Sequence, residues 1–136
     1  MRRLLIGLTL VLAATGALAQ GKTLRFASAF DPQSMDPHAL ALLYHSRIVT
    51  QIYEGLVNRG KDYKLEPSLA TSWEMTGPTT WRFKLRPGVT FHDGSPLTAD
   101  DVVYTMKWNM NPDSRSQLGA FYAGVKSIEA TGEREV

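Results

Sequence analysis

Apolar and polar positions change their rhythm several times along the chain. Thr23 to Ala29 ("TLRFASA") alternates, with Leu24 and Phe26 on one face and Arg25 between them, which predicts a strand. Asp31-Pro32 and Asp36-Pro37 then break the pattern into an irregular loop. From His45 to Glu54 the apolar residues fall at Ile48, Val49, Ile52 and Tyr53, with Leu56 beyond. That is a helical stripe, and Gly55 is placed to close it in a left-handed conformation. Leu56 to Asn58 extends into a turn around Arg59-Gly60-Lys61-Asp62.

Short strands follow. Trp73 and Met75 share one face of Ser72–Thr76, Gly77-Pro78 turns the chain, and Trp81, Phe83 and Leu85 alternate with Thr80, Arg82 and Lys84. Trp73, Trp81 and Trp108 are expected in the core, since large aromatics supply most of the burial energy available to so small a sheet. After the Arg86-Pro87-Gly88 turn, Val89 and Phe91 predict a third short strand. A helix is then expected, with Val102, Val103, Met106 and Met110 as its buried stripe and Asn111-Pro112 as its stop. Val125 to Ala130 ("VKSIEA") alternates again and Thr131-Gly132-Glu133 reads as a turn. A strand there lacks its partner, so the chain is expected to be part of a longer one.

The N-terminus changes the reading of charge. Met1-Arg2-Arg3, the apolar run Leu4–Ala14 and Ala17-Leu18-Ala19 have the form of an export signal with its cleavage site. The run is about half the roughly 20 residues a membrane-crossing helix needs. The chain has 15 Lys+Arg against 13 Asp+Glu; removing Arg2 and Arg3 with residues 1–19 leaves 13 against 13. The basic excess therefore belongs to the signal and does not imply nucleic acid or an anionic membrane as partner. Cysteine is absent, so disulfides and thiol chemistry are excluded.

"FHDGSPLTADD" (Phe91–Asp101) is the richest cluster of polar groups. Its carboxylates invite a hydrolase reading, but Asp100 and Asp101 adjoin in a first helical turn, where their side chains diverge and meet the helix dipole. Thr98 with Asp101 three residues on is a capping arrangement. His92 and Asp93 would face opposite ways along a strand, which weakens a dyad. His38, His45 and His92 are scattered without ligand spacing, so neither catalytic residues nor a metal are expected, and no cofactor.

The order of "SMDPH", "IYEGLV", "LEPSLATSWE", "TWRFKLRPGVTFHDGSPLTADDVVYTMKW" and "VKSIEA" resembles the N-terminal part of the family 5 extracellular solute-binding proteins, the peptide- and dipeptide-binding components of ABC importers. The resemblance implies an α/β, periplasmic-binding-protein-like two-lobe fold, of which this chain would hold an α+β portion. Residues 20–44 would give the first strand and ligand loop of the main lobe, and residues 45–136 most of a small inserted domain, incomplete at its C-terminal end. It implies a monomeric periplasmic protein that passes a peptide-like solute to membrane permease subunits. Nickel complexes, haem, opines and sugars are alternative solutes within the family. By resemblance, ligand contacts fall in the loop after "DPH", at Ala41, Leu42, Leu43 and Tyr44, and after the "NP" helix stop, at Leu118 with Phe121 and Tyr122 nearby. Some relatives carry an acidic residue where this chain has Ala41, and relatives can place a tyrosine where it has Leu118. A polar contact is thus replaced by an apolar one. A stand-alone interaction module is the remaining non-enzymatic alternative.

Overall fold

The computed structural model describes Thr23 and residues 25–136; the expected export signal, residues 1–19, lies outside the described residues. Helix α1 spans Leu43–Val49, strands β1 and β2 span Val57–Arg59 and Leu65–Pro67, and β3 and β4 span Ala70–Gly77 and Thr80–Leu85. Helix α2 spans Ala99–Met110, and two 3-10 helices, Pro112–Ser114 and Gln117–Tyr122, follow it.

The β3–β4 hairpin realises the alternation legible in the sequence. Trp73 pairs with Phe83 and Met75 with Trp81, so one face is apolar, while Glu74 opposite Arg82 and Ser72 opposite Lys84 form the other. A register irregularity falls between Ala70 and Ser72, and the hydroxyl of Thr71 donates to the carbonyl of Lys84 at 3.2 Å. Burial is graded along this face rather than uniform. Leu85 is 4% exposed, Trp73 and Phe83 are half-buried, and Trp81 at the turn end is 53% exposed. The expectation of core tryptophans is corrected accordingly: Trp73 is only half-buried, and Trp108, like Trp81, is exposed, at 44%. The core elements gather at the Leu85 end of the hairpin and leave the turn end open.

That core joins Leu85 to Ala99 and Val102 of α2, with Leu56, Met106 and Val136 packed around them. The chain end enters it by pairing with the free edge of β4. Phe83 and Val136 exchange both backbone hydrogen bonds, at 2.8 and 3.1 Å, and the Leu85 N–H donates to the Arg134 carbonyl at 2.9 Å. The Ala99 N–H, one of the orphan donors at the start of α2, donates to the Glu133 carbonyl at 2.8 Å. The turn expected at Thr131–Glu133 is present, with the Thr131 N–H donating to Glu135 at 2.8 Å. "VKSIEA" itself takes no strand ladder; the strand-like segment lies after the turn, not before it.

Other expectations shift for local reasons. Thr23 and residues 25–28 lie in no ladder, because no described strand runs beside them. Helix α1 begins two residues before His45 and ends at Val49, well short of Gly55, which is not left-handed. Ile48, Val49 and Thr50 are β-branched, and the Thr50 hydroxyl donates back to the Ser46 carbonyl at 2.7 Å, both of which weaken a helix end. Its buried residues are His45 and Val49, whereas Ile52 and Tyr53 are exposed. The strand expected at Val89–Phe91 is only a bridge between Thr90 and Pro96. Strand β2 went unforeseen, being three exposed residues ending in proline.

"FHDGSPLTADD" is resolved into architecture. The Gly94 N–H donates to the Phe91 carbonyl at 3.0 Å, and Gly94 takes φ of 88°, where a side chain would be strained. Asp93 Oδ1 accepts from the backbone N–H and hydroxyl of Ser95, at 2.9 and 2.6 Å, and these bonds hold its carboxyl below the usual range. The capping box closes as expected, with Asp101 Oδ2 accepting from the Thr98 N–H and hydroxyl, each at 2.8 Å.

A clamp ties three of the sequence motifs together. Arg86 donates to both carboxylate oxygens of Glu54, at 2.9 and 3.0 Å, and to the Ser68 carbonyl at 3.0 Å, while the Ser68 hydroxyl donates to Glu54 at 2.9 Å. The hydrogen bond from Arg86 is the main cause holding the Glu54 carboxyl below its ordinary value of 4.5. A carboxyl depressed by folding stabilises the fold above its unfolded pKa, and that contribution is lost as pH falls through the folded one. Glu54→Gln is therefore expected to lower Tm near pH 7, with the gap to wild type closing as the buffer is taken below 4.5. Both side chains are well exposed, so the gap should be small. Thermal melts of the two proteins across pH check this.

Candidate ligand-facing site

The five residues singled out in the sequence lie on two segments far apart along the chain. Leu42 leads in extended conformation from Ala41 into α1, and its carbonyl accepts the first helical bond from the Ser46 N–H at 2.9 Å. Leu43, in the first helical turn, is 69% exposed, and Leu42 is 39% exposed. Tyr44 is half-buried with its ring 5.3 Å from that of Phe30, centroid to centroid. Leu118 is half-buried in the second 3-10 helix, where its N–H donates to the Ser116 hydroxyl at 3.2 Å. The Ala41 N–H donates to Gln117 Oε1 at 3.1 Å, so the two segments are joined beside the proposed contacts.

Residues that the sequence reading passed over make this junction. Asn109, 1% exposed, sits on α2 within the turn that Met106 and Met110 share. Its amide nitrogen donates to the Thr105 carbonyl at 2.9 Å and lies 3.1 Å from His38 Nδ1. Its Oδ1 accepts from the Ser116 hydroxyl at 2.6 Å, and that hydroxyl also lies 3.1 Å from the His38 carbonyl. One buried amide thus connects the "DPH" loop, α2 and the segment leading to Leu118. Its legible signal was a polar residue placed at helical spacing among apolar ones, which in a core demands partners.

The loop itself is built by its own side chains. Asp36 Oδ1 accepts from the His38 N–H at 2.9 Å, an Asx turn, and the Ala39 N–H donates to the Asp36 carbonyl at 3.3 Å. His45, fully buried, reaches the same carbonyl with Nε2 at 2.9 Å, and a carbonyl can only accept, so Nε2 carries the proton. Its Nδ1 is buried without a partner among the described residues. Further along, Phe121 is exposed, and burial raises the pKa of the half-buried Tyr122 phenol.

Gly119 is where the second 3-10 helix touches α2. A Cβ there would stand 2.9 Å from the Asn109 carbonyl oxygen, which belongs to rigid helix backbone. Gly119→Ala is expected to push Gln117–Tyr122 off the helix and cost about 1–3 kcal/mol, as overpacking does. Thermal denaturation would read the loss, and the hydrogen exchange of the Ala41 amide would report release of its bond to Gln117.

A shallow hollow of about 270 Å³ is lined by Thr50–Gly55, Val57, Asn58 and Ser68, and by none of the five residues. Among the described residues, no three His, Cys, Asp or Glu stand close enough to hold a metal ion.

Comparison with known proteins gives a consistent picture. Residues 64–136 match the model of the bacterial extracellular solute-binding proteins, family 5, middle region. The periplasmic murein peptide-binding protein MppA of Escherichia coli K12 is 31% identical over 74% of this chain and 19% of its own length. The structure of Haemophilus influenzae OppA in complex with the peptide RPPGFSPFR superposes with a TM-score of 0.68 and 29% identity, over 76% of this chain and 24% of that one. The structure of AgaA from A. tumefaciens R10 in complex with agropinic acid gives 0.69 and 28%, over 77% and 21%. The chain therefore spans about a fifth of the length of such relatives.

Proposed function

Since this chain belongs to the family 5 bacterial extracellular solute-binding proteins and carries their α/β fold, we propose that it is part of an exported protein that captures a peptide-like solute and delivers it to an ABC permease. The observation that carries the peptide reading is the junction of the "DPH" loop with the Leu118 segment, present in a chain whose relatives include peptide binders. An extended peptide can bond to exposed main chain in strand fashion while apolar side chains fill neighbouring pockets. Ala41, Leu42, Leu43, Tyr44 and Leu118 form one wall for it. No chemical step is assigned to the protein, which acts by binding.

In the same reading residues 1–19 direct export to the periplasm and are removed. Residues 20–44 belong to the main lobe and residues 45–136 to a small inserted domain, and the mature protein works as a monomer. Calorimetry of the full-length protein against alanine peptides of two to five residues is expected to show saturable binding. Absence of binding across that set would sink the peptide reading. An opine is the second reading, motivated by the likeness to the AgaA complex, and agropinic acid added to the same titrations distinguishes the two.

A further inference from the structure

We propose that His38 contacts the ligand directly, its Nε2–H donating to an oxygen of the bound peptide, with Asn109 as the residue that aims it. This deepens the peptide-binding reading above and rests on it. The proton inventory of the junction fixes the ring. The Thr105 carbonyl has no hydrogen to give, so the Asn109 atom 2.9 Å from it is the amide nitrogen. Oδ1 on the other side accepts from the Ser116 hydroxyl at 2.6 Å, and turning the amide over would set its oxygen against the Thr105 carbonyl, which can only accept. With the amide so held, its second N–H faces His38 Nδ1 at 3.1 Å, and Nδ1 must present a lone pair. A neutral imidazole that accepts at Nδ1 carries its proton on Nε2.

That outer N–H has no acceptor among the described residues, while the ring is half-buried and tethered at Nδ1, so the donor is oriented yet unused. His45 is the instructive contrast, since its Nε2–H is already given to the Asp36 carbonyl and the ring is fully buried. The His38 backbone is fastened as well, its N–H to Asp36 Oδ1 and its carbonyl beside the Ser116 hydroxyl. His38 itself is thereby fastened to both the loop running to Ala41 and, through Ser116, the segment running to Leu118. It selects an acceptor oxygen, either a main-chain carbonyl or a terminal carboxylate. A ligand ammonium would meet it donor against donor. Ala41 agrees in sign, for it offers no carboxylate to an amine.

The experiment uses the full-length protein, trialanine, and trialanine with an amidated C-terminus. His38→Asn keeps an acceptor near the Nδ1 position for Asn109 but removes the outer N–H. It should bind trialanine about tenfold more weakly at a wild-type Tm. His38→Gln keeps outward reach but gives up the tether, so it should lower Tm more than His38→Asn does. In the wild type, nitrogen-15 spectra of the imidazole should show protonated Nε2 and unprotonated Nδ1, with Nε2 moving when trialanine is added. Once His38→Asn has weakened trialanine binding, an amide that binds the wild type as the acid does marks the acceptor as a main-chain carbonyl, and amidation that weakens the wild type but not His38→Asn marks it as the carboxylate. Trialanine binding to His38→Asn as tightly as to wild type, or an unmoved Nε2 resonance, would overturn it while leaving the peptide reading intact. Failure of the wild type to bind any alanine peptide of two to five residues would overturn both.

Discussion

Asn109→Ala is expected to destabilise the protein by about 2–4 kcal/mol and to release the Leu118 segment from the "DPH" loop. The reason is the number of groups one amide serves. Its removal leaves His38 Nδ1 without its donor, cuts the bond that holds the Ser116 hydroxyl to α2, and opens a small void at a site that is 1% exposed. Buried groups that lose their partner cost more than a hydrogen bond gains on forming, because water is not there to replace it. Asn109→Asp tests direction against shape. The carboxylate is nearly isosteric but has no N–H, so it would set oxygen against the Thr105 carbonyl, and His38 would meet it only by moving its ring proton to Nδ1. It should therefore fail to rescue. Chemical denaturation of the three proteins measures both points, and an aspartate variant as stable as wild type would show that packing alone holds the junction.

Leu85→Ala should cost about 2–5 kcal/mol, the range for a buried leucine whose surroundings collapse only in part. Leu85 is 4% exposed and packs with Ala99 and Val102, while its N–H bonds to Arg134 and its strand carries Phe83, which bonds to Val136. Few other residues among those described are fully buried, so little apolar area remains to hold α2 against the hairpin. The same truncation at Trp81, half-exposed at the turn end, should cost far less. Comparing the two Tm shifts tests whether the core lies where the burial gradient puts it.

How much of this was visible beforehand follows from range. The β3–β4 hairpin, the Asp93-Gly94 turn, the Thr98–Asp101 cap and the stop at Asn111-Pro112 are set by neighbours within a few positions, and the sequence pattern found them all. The Val136 pairing and the His38–Asn109–Ser116 junction are set by residues distant in the chain, and no local period announces them. The family resemblance located Ala41 and Leu118, but not the polar residues that bring them together. Overreading was local too. Alternation made "VKSIEA" look like a strand, although a ladder needs a partner that alternation cannot supply. Aromatic bulk likewise suggested core at Trp81 and Trp108, where no element arrives to cover it.

The pairing of Phe83 with Val136 has a consequence for the order in which the chain assembles. The hairpin closes over two residues, Pro78 and Thr79, and can form on the microsecond scale from local encounters. Seating Arg134–Val136 on β4 instead closes a loop containing all of α2 and both 3-10 helices, with a correspondingly larger loss of chain entropy. The hairpin should thus act as an early template, and the docking of Arg134–Val136 as a later step that locks α2 beneath it. Substitutions at Val136 would then speed unfolding while leaving the folding rate nearly unchanged.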